Sequence, residues 1–241
     1  MTSGQDILAD VRAALDSVAA LDLHKTPVDV AWDGQAVTLE GEVDSIVAKK
    51  LALEAVVALP GISAIVDRLR VAAAQPQGDG EIWHDLTDAL QQDTAFRECR
   101  LRGQVDGRPE SVLQDPESPR GDIVCTVEDG VVTLDGEVPG LGYKRLAGVL
   151  AWWVPGTRDV VNGLAVEPEE ADGADEITDA VRVALEKDPF VDASQVRVTT
   201  DGTVVTLRGL VPTESEREMA EYDAWFVFGV DKVINRIDVR A

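Results

Sequence analysis

A ten-residue stretch occurs three times in this chain with small changes: AVTLEGEVDS from Ala36 to Ser45, VVTLDGEVPG from Val131 to Gly140 and VVTLRGLVPT from Val204 to Thr213. Each copy follows an Asp-Gly pair, at Asp33-Gly34, Asp129-Gly130 and Asp201-Gly202. The spacing beyond the motif is held as well. Gly41 to Gly61, Gly136 to Gly156 and Gly209 to Gly229 are each 20 residues apart, and Asp67, Asn162 and Asn235 stand at the same distance past the second glycine. Equal spacings of this kind mark repeated structural units. The 241 residues are therefore read as three small folds in series.

Each unit opens with an amphipathic helix, because Ile7, Val11 and Leu15, then Ile82, Leu86 and Leu90, then Ile177, Val181 and Leu185 recur in steps of four and so share one helix face. Thr2 with Gln5, and Asp79 before the second helix, are candidate start signals. Alternation follows, with Val28, Val30 and Trp32 in the first unit and Val196 and Val198 in the third. Asp-Gly between alternating segments predicts a tight hairpin. The returning strands turn Val37 and Leu39, Val132 and Leu134, and Val205 and Leu207 inward.

A second helix comes next, capped in the third unit by Thr213 with Glu216, and stops at Pro60-Gly61, Pro155-Gly156 or Phe228-Gly229. A final strand closes each unit. The expected fold class is α/β (α+β): three tandem α-β-β-α-β units, each a small three-stranded sheet with two helices on one face. The units are bounded at 1–73, 80–168 and 174–241. Apolar parity slips between Val66 and Leu69, which predicts a bulge or kink near Asp67 and its counterparts Asn162 and Asn235.

The run of hairpin glycine, V-T-L-x-G-x-V, helix, Pro-Gly and V-x-N-x-L/I-x-V resembles the BON (bacterial OsmY and nodulation) domain, in three tandem copies covering nearly the whole chain. The resemblance implies the element order just derived. It also implies a non-catalytic binding role, chiefly phospholipid or envelope association in osmotic stress. The chain departs from the usual members in showing no export signal: its N-terminal segment has neither a basic leader nor an unbroken apolar run. A cytoplasmic location is the expectation.

Two segments separate the units. Residues 72–80 are small and polar and predict a short tether, and residues 167–175 are acidic and predict an extended, solvated one. The middle unit is longer, with 48 residues from Ile82 to Gly130 against 27 and 25 at the equivalent span. The excess falls at about 101–121 and predicts a loop between its first helix and first strand. Arg97, Arg100, Arg102 and Arg108 gather there. They either neutralise neighbouring carboxylates or touch a phosphate or an acidic partner surface.

With 45 acidic residues against 22 basic ones, the net charge is −23. Such a surface repels phosphate backbones, so nucleic acid is not expected as a partner. No apolar run approaches the roughly 20 residues of a membrane-spanning helix. The two histidines, His24 and His84, sit at non-equivalent positions, and no nucleophile, metal or phosphate-loop motif accompanies them. Catalytic residues, metal sites and cofactors are accordingly expected to be none. Cys99 and Cys125 are expected as reduced thiols.

Aromatic residues carry the functional expectation. Trp152 and Trp153 at the end of the second unit's second helix correspond to Trp225 and Phe226 in the third and to Val57 and Ala58 in the first. Adjacent helical residues point about 100° apart, so both members of a pair cannot lie at the centre of one inward stripe. One of each should reach another surface: a neighbouring unit, a protein partner or second copy, or a lipid interface. Trp83 extends the same argument to the second unit's first helix. The expected function is a stress-related binding and assembly protein that contacts a protein partner or itself through these residues. Peripheral phospholipid binding is one alternative, with the arginines at 97–108 on headgroups. Cation binding by the acidic surface in an osmotic response is another.

Overall fold

The computed structural model describes residues 4–105 and 111–240. Thr2 and Arg108 thus lie outside the described residues. The chain divides into two compact units, 1–72 and 73–241.

The first unit runs α1 (Gly4–Asp16), β1 (Val28–Trp32), β2 (Val37–Val43), α2 (Ile46–Val57) and β3 (Ile65–Val71). β1 pairs antiparallel with β2 and β3 adds parallel to β2. Ser45 starts α2 by accepting the Ala48 N–H at 3.1 Å. Val11 and Leu15 of α1, Val37, Leu39 and Val43 of β2, Ala52 and Val56 of α2 and Leu69 of β3 form its core.

The larger unit begins with α3 (Asp79–Gln92), a 3₁₀ turn at Thr94–Phe96, β4 (Cys99–Val105), β5 (Ser111–Gln114), β6 (Gly121–Glu128), β7 (Val131–Val138), α4 (Leu141–Trp153), β8 (Asp159–Asn162) and β9 (Ala165–Val166). It continues as α5 (Ala174–Lys187), a 3₁₀ turn at Ala193–Gln195, β10 (Val196–Asp201), β11 (Val204–Val211), α6 (Glu214–Phe226) and β12 (Lys232–Val239). Strands β10, β11 and β12 repeat the first sheet, antiparallel then parallel. The α-β-β-α-β order with a three-stranded sheet therefore holds in the first and third units, while the middle unit adds β4 and β5 between its first helix and its hairpin, splits its last strand into β8 and β9, and has six strands where three were expected.

The middle sheet carries more than the expected loop. The described residues of 101–121 are not all loop, contrary to expectation: β4 lies parallel to β6 and β5 antiparallel to β4, giving the order β5-β4-β6-β7-β8, with β9 on β7. Cys99, Leu101, Gly103 and Val105 point inward and Arg100, Arg102 and Gln104 alternate with them. That is a strand's period of two, concealed in the sequence because a cysteine and a glycine hold two of the inward positions. Gly103 is small for a reason, since a Cβ there would strike the Trp83 indole.

The expected kink is found only in the middle unit, where the last strand breaks between Asn162 and Ala165. In the other two, β3 and β12 keep an unbroken register. The side chain at the repeated position absorbs the irregularity. Asp67 accepts the Leu69 N–H and Asn235 accepts the Ile237 N–H, at 2.9 and 3.1 Å. The same residues clip the strand to the second helix. Asn162 donates to the Lys144 carbonyl at 2.7 Å and Asn235 to that of Arg217 at 3.1 Å; in the first unit buried Lys49 bridges Asp67 and the Leu69 carbonyl at 2.9 and 2.7 Å.

The hairpin glycine has an equally local cause. A Cβ at Gly41, Gly136 or Gly209 would collide with the carbonyl oxygen of Pro27, Asp122 or Gln195, at or just before the start of the neighbouring strand, so only glycine lets the chains approach there. Thr213 caps α6 as its sequence suggests, accepting the Glu216 N–H at 3.2 Å. Asp79 acts differently: it is the first residue of α3, and its carboxylate receives the Asp129 and Gly130 N–H groups, each at 2.8 Å, which ties the helix to the β6–β7 turn.

Candidate functional site

The second and third units are joined through α4, which packs on α5 and α6, and Trp152, Trp153 and Phe226 are the aromatic side chains of that seam. Trp152 and Phe226 stack at 5.6 Å with rings 13° apart, and Tyr222 continues the stack onto Phe226 at 6.4 Å. Trp153 packs against the cores of both units, and Val149 of α4 belongs to the third unit's core. The Trp153 indole donates to Asp223 Oδ1 at 2.9 Å. Trp225 is only 2% exposed, so it is packing material and has no face left for a partner.

Polar ties reinforce the seam. Arg145, 1% exposed, donates Nε to the Phe228 carbonyl at 3.0 Å and pairs with Asp172. Lys144 lies over the Phe228 ring at 4.8 Å, and Lys187 of α5 reaches Asp93 at 2.7 Å. The acidic connector is consequently not a free tether. Asp172 holds Arg145, and Glu170 accepts the Leu141 N–H at the start of α4 at 2.8 Å, where an anion also complements the helix dipole. Pairing of this type outweighs the repulsion among the connector's own carboxylates, which had suggested a loose extended strand.

Asp223 is the most perturbed group of the seam. It is 2% exposed, and its acid is pushed up to about 8. Burial is the chief cause; the adjacent Asp188 carboxylate adds to it, while the Trp153 N–H opposes it. The Tyr222 phenol is also pushed up, first by burial and then by Glu218 and Glu221.

The remaining candidate residues are dispersed. Trp83 packs its indole over Gly103 in the middle core, half-buried, with its N–H lacking an acceptor among the described residues. Arg100 and Arg102 sit on the outer face of β4, Arg100 against Asp115 at 2.7 Å and Arg102 against Asp122 at 2.9 Å. These two have carboxylates for partners, while Arg97 is exposed. His24 and His84 are exposed, and His84 faces Asp88 at 3.7 Å. Cys99 and Cys125 are free, buried thiols, and burial drives the Cys125 thiol to about 12. Among the described residues no group of three or more His, Cys, Asp or Glu is placed to hold a metal ion, and no helix is long and apolar enough to cross a membrane.

Two features escaped sequence reasoning. One is the facing pair Asp188 and Asp223. The other is a row of arginines: Arg197, Arg208 and Arg236 are register partners across β10, β11 and β12, all three exposed. None is paired with a carboxylate among the described residues. The signal was present in V-R-V, L-R-G and N-R-I, each one residue from an inward apolar position, and it becomes readable once the strand register is known.

The class that the fold defines is that of small α/β modules in tandem, two of them fused through an aromatic seam. The chain belongs to the BON domain family, whose model matches residues 3–73, 110–168 and 173–241. Membership points to a non-catalytic binding role. No curated protein matches the chain. Among solved structures it is similar to the C-terminal domain of CdsD, a structural protein of the type III secretion system of Chlamydia trachomatis, at 14% identity over 98% of both chains, with a TM-score of 0.26. A second structure of CdsD matches at 14% identity over 98% of this chain and 92% of that one, with a TM-score of 0.25. At those scores neither likeness carries an argument.

Proposed function

We propose that the protein is a stress-related, non-catalytic binding and assembly protein whose contact surface is the outer rim of the aromatic seam. The observation that carries this reading is the exposure of Phe190 at 70% and Tyr222 at 39% on the border of a stack whose inner members are consumed by packing. Exposed aromatics clustered beside one another favour a second surface, since each gains roughly 1.5 to 3 kcal/mol on full burial. The occupant is a protein partner or a second copy of the chain.

The phospholipid alternative draws less support, because Arg100 and Arg102 already have carboxylate partners. The test is the double variant Phe190→Ala with Tyr222→Ala in the full chain. It should lower the mass measured by light scattering, or lose a partner retained by the parent protein in pull-downs. Unchanged mass and unchanged retention would remove the rim from consideration, and salt-sensitive co-sedimentation with anionic vesicles would favour the lipid role instead.

A further inference from the structure

Beside the seam, the end of α4, the turn after α5 and one face of α6 enclose a cleft of about 360 Å³. That is at the small end of the roughly 300 to 1,000 Å³ typical of small-molecule sites. Trp153, Phe190, Tyr222 and Phe226 line it, and so do Asp188 and Asp223. Asp223 Oδ1 takes the Trp153 N–H; buried Oδ2 meets no donor among the described residues, and the carboxyl's other side-chain neighbour is Asp188. The charged group acting on it is Asp188, one oxygen of which accepts the Phe190 N–H at 2.9 Å.

Among the described residues, none that lines the cleft is positively charged. From α6 come Tyr222 and, further out, Glu218 and Glu221; from α4 comes the neutral Trp153 indole; and Lys187 at the end of α5 is engaged with Asp93. Two neighbouring carboxylates, one of them dry, cannot both remain ionised unless something positive lies between them. A proton is the minimal answer, consistent with the raised acid of Asp223. A cation is the other.

The lining decides which cation. Hard metal ions such as calcium take six to eight oxygen ligands, and a cleft walled largely by rings does not supply them. Aromatic faces instead attract weakly hydrated cations, quaternary ammonium groups above all. We propose that this cleft, walled by Trp153, Phe190, Tyr222 and Phe226 with Asp188 and Asp223 at its side, binds a small organic cation of the quaternary or methylated ammonium type in place of the proton on Asp223. The inference does not rest on the partner-contact reading, because the aromatic walls and the buried carboxyl belong to the cleft itself.

The probe is tetramethylammonium chloride, titrated into the full chain at constant ionic strength, with sodium chloride as the reference and the Trp153 indole N–H followed by NMR. A saturable shift is expected, with affinity rising about tenfold per pH unit between pH 6 and 8 as the competing proton becomes easier to displace. Calorimetry in buffers of different ionisation enthalpy should register the released proton. Asp223→Asn, which imitates the protonated acid, should weaken binding at pH 8 at least about tenfold and remove the pH slope, and Phe190→Ala should weaken it severalfold. No saturable shift at either pH, equal affinity in Asp223→Asn, or an identical response to sodium would each overturn the proposal.

Discussion

The same helix end is built in two ways within one chain. In the first unit it carries Val57 and Ala58, and Val57 is 60% exposed; in the second and third it carries Trp152, Trp153, Trp225 and Phe226. The first unit is compact by itself, whereas the second and third share one compact body. Four large side chains at homologous positions thus separate a module with its own core from a pair of modules whose cores are continuous through Trp153 and Val149. The hairpin and second helix are common to all three, and the copies with aromatic residues three and four positions before the helix-terminating glycine are the two that share a body.

The sharpest way to break this comparison is to truncate one member from each side. Trp225→Ala should destabilise the 73–241 body by about 3 to 5 kcal/mol, seen as a lower urea midpoint of its tryptophan signal, while Val57→Ala should move the first unit by no more than about 0.5 kcal/mol. Equal effects would mean that the aromatics merely fill space.

Asp223 tests the seam through pH. Its acid is pushed up from the ordinary carboxylate range to about 8 in the folded chain, so the folded state holds a proton that the unfolded state releases. Stability should therefore fall as pH rises from about 4 to about 8 and then level off. Asp223→Asn should abolish that decline. Its advantage over the parent should be absent near pH 4 and largest above pH 8, limited to about 1.4 kcal/mol per unit of elevation. Thermal melts at pH 5, 7 and 9 decide it, and a constant offset would show that Asp223 is ionised throughout.

The smallest effect concerns the outer faces of the sheets. The row occupied by Arg197, Arg208 and Arg236 in the third unit is occupied by Asp29, Glu40 and Arg68 in the first, where Arg68 pairs with Glu40 at 3.4 Å. Like charges directly opposite one another are unfavourable. Arg208→Glu should accordingly stabilise the third unit by about 0.2 to 1 kcal/mol and Arg68→Glu should cost the first a similar amount. Both differences should shrink in added salt.

Much of the fold was legible because its signals are local. Four-residue apolar steps, Asp-Gly turns and Thr213 before Glu216 describe helices, hairpins and a cap without reference to distant residues. What was missed depends on pairing between distant segments. β4 was hidden because Cys99 and Gly103 dilute its alternation, and its parallel partner β6 begins well beyond it. Asp223 and Arg145 carry no local signal of burial, and only the packing of one unit on another covers them. The aromatic pairs were identifiable as unable to lie on a single stripe, yet the sequence could not show that Trp225 turns inward while Phe226 is half-buried.

The crowded crossing at Gly41, Gly136 and Gly209 has a consequence for how such a chain can change over generations. A module copied twice is free to acquire a different surface charge, an extra pair of strands or a new neighbour, because those alterations lie on its periphery. The point where a carbonyl presses on the hairpin permits no side chain in any copy. Inheritance is therefore rigid at that spot and permissive around it, and hairpins exchanged among the three modules should remain compatible parts.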